Sequence, residues 1–223
     1  MRPLTDHTPK PLLKVGEKPL IVWHLQNLAR AGFKEIVINH AHLGEQIEAA
    51  LGSGKKWGVH IQYSPEKVAL ETAGGIANAL PLLGSELFLV VNSDIFTDIN
   101  FASLAPSHLR GEGWREGEKV KKLAHLVMVN NPPQHAQGDF ALQNGKLTES
   151  GENKLTFSGV GVYHPDLFAS VTLGGAAKLA PLLKGAVAQS RVTAQHHTGA
   201  WHDVGTPQRL AELDTAQIGR AHV

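Results

Sequence analysis

Apolar residues fall in short blocks along this chain, parted by glycine, proline and charge, and the spacing inside each block predicts its form. The sharpest block is residues 87–91, Leu-Phe-Leu-Val-Val, stopped by Asn92-Ser93-Asp94. Such an unbroken run reads as a strand buried on both faces, as in the sheet of an α/β protein. Upstream, Pro19 suits the first turn of a helix from Leu20 to about Ala31, which Gly32 ends. Residues 33–39 read as a strand, 42–51 as a short amphipathic helix closed by Gly52, and 59–63 as a strand with alternating faces. Residues 76–83 are helical and are entered through Leu70-Glu71-Thr72-Ala73-Gly74-Gly75.

Beyond the apolar block, 123–129 is a strand and 130–137 a polar, proline-bearing loop. Asn144-Gly145, between 140–143 and 146–148, is a strong hairpin signal. Residues 155–163 form a long strand with Gly159 and Gly161 on one face, leaving room for something flat or bulky against the sheet. Helices are expected at 165–171 and at about 176–189. Thr206 and Pro207 fit the N-cap and N1 of a last helix, 208–218. Residues 105–122 are charged and aperiodic, an exposed insertion rather than a linker. Pro3, Pro9 and Pro11 keep residues 1–13 a loop. The expectation is one α/β domain over 1–223.

Composition narrows the setting. A formal net charge of +1 gives no reason to expect nucleic acid or a membrane surface as partner. The chain has no cysteine, so disulfides and thiolate metal sites are excluded. No apolar stretch approaches the roughly 18 residues of a membrane span, and the first residues lack the apolar core of a signal peptide. A cytoplasmic protein is expected.

Four features carry candidate chemistry. In open α/β sheets ligands collect beyond the carboxyl ends of strands, where Asp94 would hold a metal or a reacting group, or simply cap a turn. Asp203, in Trp-His-Asp-Val-Gly-Thr-Pro, stands at a second strand end and either does the same or braces its turn. Lys10, held between Pro9 and Pro11, is aimed by a stiffened backbone or is merely solvated. Gly74 and Gly75 either admit a ligand to helix N–H groups or admit a tight neighbour. Two carboxylates, a presented lysine and a glycine-rich helix start suggest a phosphate-bearing ligand with a divalent cation, hence phosphoryl or nucleotidyl transfer. No Ser-His-Asp order, HExxH or CxxC competes, and no strand leads into GxGxxG.

Taken together, Met-Arg-Pro-Leu-Thr, Thr8-Pro9-Lys10-Pro11-Leu12, Glu71-Thr72-Ala73-Gly74-Gly75, Asn92-Ser93-Asp94 and Asp203-Val204-Gly205-Thr206 resemble the sugar-1-phosphate nucleotidylyltransferases, in order and over the whole chain. Ile38-Asn39-His40-Ala41, Leu43-Gly44, Glu71 and Phe157-Ser158-Gly159 look most like those that transfer uridylyl groups to N-acetylmuramic acid α-1-phosphate in cell-wall sugar recycling. The mannose-1-phosphate guanylyltransferases are the near neighbour.

The resemblance implies a Rossmann-like three-layer α/β/α fold with a mixed, mostly parallel sheet, and a monomer or small homo-oligomer. It implies that UTP and a sugar 1-phosphate give UDP-sugar and pyrophosphate. Lys10 would hold phosphate oxygens, and Asp94 with Asp203 would hold Mg2+. Thr72, Ala73 and Gly74, with Glu66 nearby, would meet the base, and Gly138, Asp139 and Ser158 would line the sugar side. Ser93 replaces the usual glycine, and Phe157 the asparagine of relatives acting on N-acetylglucosamine. The family's first strand, its Gly-rich loop and that loop's arginine would precede Met1. A misplaced start or a truncation is therefore expected, and with it a chain that is inactive or poorly folded until about 15 upstream residues are restored. Two rivals stand beside this reading: a nucleotide-sugar glycosyltransferase, which the Lys10 loop and the Asp203 turn disfavour, and a catalytically dead nucleotide-sensing subunit.

Overall fold

The computed structural model describes residues 1–105 and 121–221, side chains of 217–221 excepted. In chain order come β1 (Lys14–Val15), β2 (Lys18–Pro19), α1 (Leu20–Arg30), β3 (Glu35–His40), α2 (Gly44–Leu51), β4 (His60–Pro65), α3 (Glu71–Leu83), β5 (Phe88–Val91) and β6 (Ile95–Thr97). Then follow β7 (Ala124–Val129), β8 (Phe140–Gln143), β9 (Lys146–Thr148), β10 (Lys154–Tyr163), α4 (Leu179–Ala188), β11 (Val192–His197), β12 (Trp201–Asp203) and α5 (Pro207–Ala221). They divide between two compact units. The first comprises Met1–Val68, Asn92–Ala102 and Gly199–Val223, and the second Ala69–Val91 and Ser103–Thr198.

In the first unit α1 is apolar on two sides. Ile21, Val22 and Leu25 pack with Ile47 and Leu51 of α2 and Ile61 of β4. Leu20 joins Val15, Val204 and Leu213 in a separate cluster. β3 and β4 run parallel, from Glu35 opposite His60 to His40 opposite Pro65. β6 and β12 run antiparallel, with Asp203 opposite Ile95 and Trp201 opposite Thr97. Thr97 Oγ1 donates to Ala200 C=O at 2.9 Å and Gly16 N–H to Asp214 Oδ1 at 2.5 Å, tying the short β elements to the chain's last segment.

The second unit is built on a six-stranded sheet in the order β5-β10-β7-β11-β9-β8. One face carries α3 and α4, whose Ala73, Ile76, Leu183 and Val187 bury against Leu126, Met128, Tyr163 and Phe168. β10 pairs with β5, β7 and β8, and its register against β7 slips between Phe157 and Gly161. Gly159 takes φ +80° inside that slip, the backbone state a bulge asks of glycine. Asn144 and Gly145 both have positive φ, as a two-residue hairpin turn requires.

The α/β class holds, but several expectations are corrected. Among the described residues parallel pairing is confined to β3–β4 and β7–β11, so the sheets are mixed without being mostly parallel. Among the described residues β5 is an edge strand with β10 as its one partner, and Phe88 is buried while Leu89, Val90 and Val91 stay half-open. Gly74 and Gly75 lie within α3, which begins at Glu71. Residues 165–171 give only a 3-10 turn, Pro165–Phe168, and α4 starts three residues later than expected, at Leu179. β11, the strand that makes β7 a central one, was not foreseen; its alternating Val192, Ala194 and His196 carry a weak signal diluted by polar neighbours. The room beside Gly161 is filled by the sheet's own Tyr163, whose ring carbon Cζ lies 3.0 Å from where a Cβ would stand. The expected insertion falls on residues 106–120, outside the described ones, apart from its ends.

Candidate active site

Lys10, Asp94 and Asp203 all lie in the first unit, with Lys10 in contact with Asp94, and Asp203 on the neighbouring ladder rung. Pro9, extended at φ −63° and ψ 139°, leads into a 3-10 turn, Lys10–Leu12, with Pro11 inside it. Leu12 N–H and Leu13 N–H close the turn on Pro9 and Lys10 carbonyls at 2.8 and 3.1 Å. So held, Lys10 sends Nζ to Asp94 Oδ2 at 2.7 Å. Proline on both sides of Lys10 thus restricts the backbone rather than the side chain alone.

Asp94 lies in the turn before β6, and its carbonyl accepts from Val204 N–H at 2.8 Å. Asp203, last residue of β12, faces Ile95. Cross-strand geometry therefore puts the Asp94 and Asp203 backbones about 6 Å apart. In an unbroken ladder their side chains would take opposite faces. The ladder ends here, however: Val204 and Ile95 are buried, while the carboxylates keep 37% and 32% of their side-chain surface exposed. Both carboxylates thus emerge at one end of one two-stranded ladder.

Asp203 has its own cation. Arg209 Nη1 donates to Asp203 Oδ2 at 2.5 Å. Thr206 caps α5 as expected, its Oγ1 accepting from Arg209 N–H at 3.2 Å. Among the described residues the second oxygen of each carboxylate accepts no hydrogen bond.

Beneath the ladder lies a residue that sequence reasoning missed. His24, on the buried side of α1, sits with Nε2 2.8 Å from Ile95 C=O, so that nitrogen carries the proton and donates. Burial lowers its pKa to about 4, against the raising effects of the Ile95 carbonyl and the Asp94 charge. A histidine four residues after the fully buried Leu20, on the same helical face, was the signal available.

Glu66 follows β4 at the carboxyl end of the parallel pair, accepting from Asn39 Nδ2 at 2.8 Å. Its N–H donates to His40 C=O at 2.8 Å and so prolongs the β3–β4 ladder.

The remaining candidates belong to the second unit. Ala73 N–H and Gly74 N–H both donate to Ala177 C=O, at 2.9 and 3.1 Å, so these helix donors are already engaged. A Cβ on Gly74 would collide with the Gly175 carbonyl. Of the two readings of Gly74, the tight neighbour is the one that the geometry shows. Thr72 is exposed beside it. Asp139 is fixed twice, Oδ2 accepting from Phe157 N–H at 2.8 Å and Oδ1 meeting His135 Nε2 at 3.1 Å. Ser158 is buried in the β10 bulge, with Oγ accepting from Val160 N–H at 3.1 Å. Gly138 has φ +61°, and a Cβ there would meet Asn131 Oδ1 at 2.8 Å and the Lys154 backbone at 2.9 Å. Gly138, Asp139 and Ser158 are all seated against β10 or its bulge.

Residues 1–113 match the family described as Nucleotidyl transferase. The N-acetylmuramate alpha-1-phosphate uridylyltransferase of Neisseria meningitidis serogroup B is 54% identical over 222 residues, 95% of this chain and 90% of that protein. The mannose-1-phosphate guanylyltransferase catalytic subunit beta of Drosophila pseudoobscura is 30% identical over 93% of this chain, which spans 56% of that relative. Among solved structures, UDP-glucose pyrophosphorylase complexed with UDP-glucose superposes with a TM-score of 0.76 at 18% identity, covering 99% of this chain and 94% of that one. The last likeness is one of fold, the Rossmann-like α/β architecture.

Proposed function

This chain belongs to the nucleotidyl transferase family and is a nucleotidyltransferase, and from that premise we propose that it transfers a uridylyl group from UTP to N-acetylmuramic acid α-1-phosphate. The products are UDP-sugar and pyrophosphate, and the setting is cytoplasmic recycling of cell-wall sugars. The relative that is 54% identical and named for that reaction supports the choice of substrates. Among the described residues no helix is long and apolar enough to cross a membrane.

The observation that carries the reading is the Lys10–Asp94 ion pair, beside the ladder end where Asp203 forms the last rung with Ile95. The two carboxylates fit Mg2+, which takes one or two protein carboxylates and fills its octahedron with phosphate oxygens and water. Among the described residues no group of three or more His, Cys, Asp or Glu is gathered, so phosphate oxygens and water would have to complete the ion's coordination. When bound, the ion would neutralise phosphate charge and draw both substrates to one point.

The chain's own residues do the rest. A phosphate oxygen of the sugar phosphate forms the new bond to the α-phosphorus. The bond from that phosphorus to the bridging oxygen breaks, and pyrophosphate leaves with the electron pair. No proton need move. Lys10 neutralises charge on phosphate oxygens that would otherwise repel the attacking anion, from a position its proline-flanked turn has fixed beforehand. By the resemblance alone, Glu66, Thr72, Ala73 and Gly74 serve the base, and Gly138, Asp139 and Ser158 the sugar.

The test is pyrophosphate release with UTP, GTP and dTTP against a panel of sugar 1-phosphates, the product identified by mass. UDP-N-acetylmuramic acid as the favoured product is the expected result. GDP-mannose in its place would move the chain to the guanylyltransferases, and no nucleotide sugar at all, either from this chain or from the same chain extended upstream, would sink the proposal.

A further inference from the structure

Arg209 stands in a place that helix stability does not explain. It is the third residue of α5, where the helix dipole disfavours a cation. Its ion pair with Asp203 is about a third exposed on each side, and such pairs contribute little to stability. Yet the turn is shaped around it. Thr206 Oγ1 accepts from Arg209 Nε at 3.4 Å as well as from its backbone, and Gly205 lacks the Cβ that would strike Arg209 Nη2. Asp203, Gly205 and Thr206 of Asp-Val-Gly-Thr-Pro therefore seat one guanidinium against one carboxylate.

We propose that Arg209 is a placeholder for the divalent cation and a phosphate-binding residue for the nucleotide. The inference rests on Asp203 as a ligand of that cation. Two carboxylates are here balanced by two protein cations, Lys10 on Asp94 and Arg209 on Asp203. An incoming divalent ion that takes the carboxylates frees both cations, a few ångströms from where the phosphates arrive. Arginine suits the second role, since its planar fork matches phosphate oxygens. Before loading, the same guanidinium competes with any bare cation for Asp203.

Those two roles predict opposite shifts, which a bracing role does not. Calorimetry with Mn2+ alone and with UTP in saturating Mg2+ is run on wild type and Arg209→Gln. Removing the competing charge should tighten Mn2+ binding about tenfold, and losing the phosphate partner should weaken UTP about tenfold. Both affinities falling together would mark Arg209 as a structural brace, and neither moving would end the proposal. If Arg209→Gln does not fold, Arg209→Lys decides: Mn2+ binding should stay near wild type while UTP weakens about threefold, from loss of the fork, and unchanged UTP binding would overturn the idea. Asp203→Asn is titrated alongside. If it leaves Mn2+ affinity intact, the fault lies with Asp203 as a ligand and not with Arg209.

Discussion

Lys10 Nζ and Asp94 Oδ2 lie 2.7 Å apart although 84 positions separate them in sequence. The lysine is fixed from a proline-flanked turn, the aspartate from the turn before β6, and the aspartate's own carbonyl is held by Val204 next to Asp203. The contact contributes little to stability, because both side chains keep a quarter or more of their surface exposed.

Lys10→Ala should therefore cut kcat by about 100-fold or more while the melting temperature moves by no more than about 2 °C. Steady-state rates and a thermal melt of the same preparation check it. A large drop in melting temperature would make Lys10 a structural lysine.

Asp94→Asn and Asp203→Asn should each lower turnover by roughly two orders of magnitude, if each carboxylate supplies several kcal/mol through the cation. Each should also shift the Mg2+ dependence of the rate to higher concentration. Near-wild-type turnover at saturating Mg2+ would remove that residue from the metal site.

His24 gives the protein a pH dependence of known sign. Its folded pKa of about 4 lies below the ordinary 6.5, so the unfolded chain binds the proton more readily. Stability is full above pH 6.5, declines as pH falls towards 4, and levels off below that. A shift of this size corresponds to about 3 kcal/mol over the window. His24→Gln, which keeps a donor for the Ile95 carbonyl and cannot titrate, should flatten the slope seen in urea unfolding between pH 7 and 4. An unaltered slope would mean that other groups set it.

Much of this was legible in the sequence. Asp94 follows an apolar strand and Asp203 ends a short one, and the turn chemistry of Thr206-Pro207 and Asn144-Gly145 is local, so the residues themselves announce it. What was not legible depends on partners far along the chain. β11 is recognisable only once β7 is beside it, and the burial of Leu89–Val91 depends on how many neighbours the strand acquires, which no periodicity records. Gly74 was ambiguous for the same reason: its neighbour, Gly175, is about a hundred positions away.

That neighbour gives Gly74 a test. Alanine would gain up to about 1 kcal/mol in helix propensity but must push the Gly175 carbonyl aside, and overpacking against backbone costs about 1–3 kcal/mol. Gly74→Ala should be net destabilised by about 1–2 kcal/mol in denaturant unfolding. Wild-type stability with lost UTP binding would instead assign Gly74 to the base.

Tyr163 and Gly161 form the last testable pair. Among the described residues the fully buried Tyr163 hydroxyl has no hydrogen-bond partner, and burial raises its pKa far above the ordinary value, so it stays protonated. A buried donor without an acceptor is destabilising, so Tyr163→Phe should leave stability unchanged or raise it by about 1 kcal/mol. The hydroxyl stands 2.8 Å from where a Cβ on Gly161 would sit, and Leu126 Cδ2 3.1 Å away. Gly161→Ala should thus be destabilising, and Tyr163→Phe should recover part of that loss by removing the nearest atom. A double-mutant cycle in urea measures the coupling, expected at about 0.5–1 kcal/mol. Additive single effects would mean that the alanine methyl is accommodated by Leu126 and not by the tyrosine.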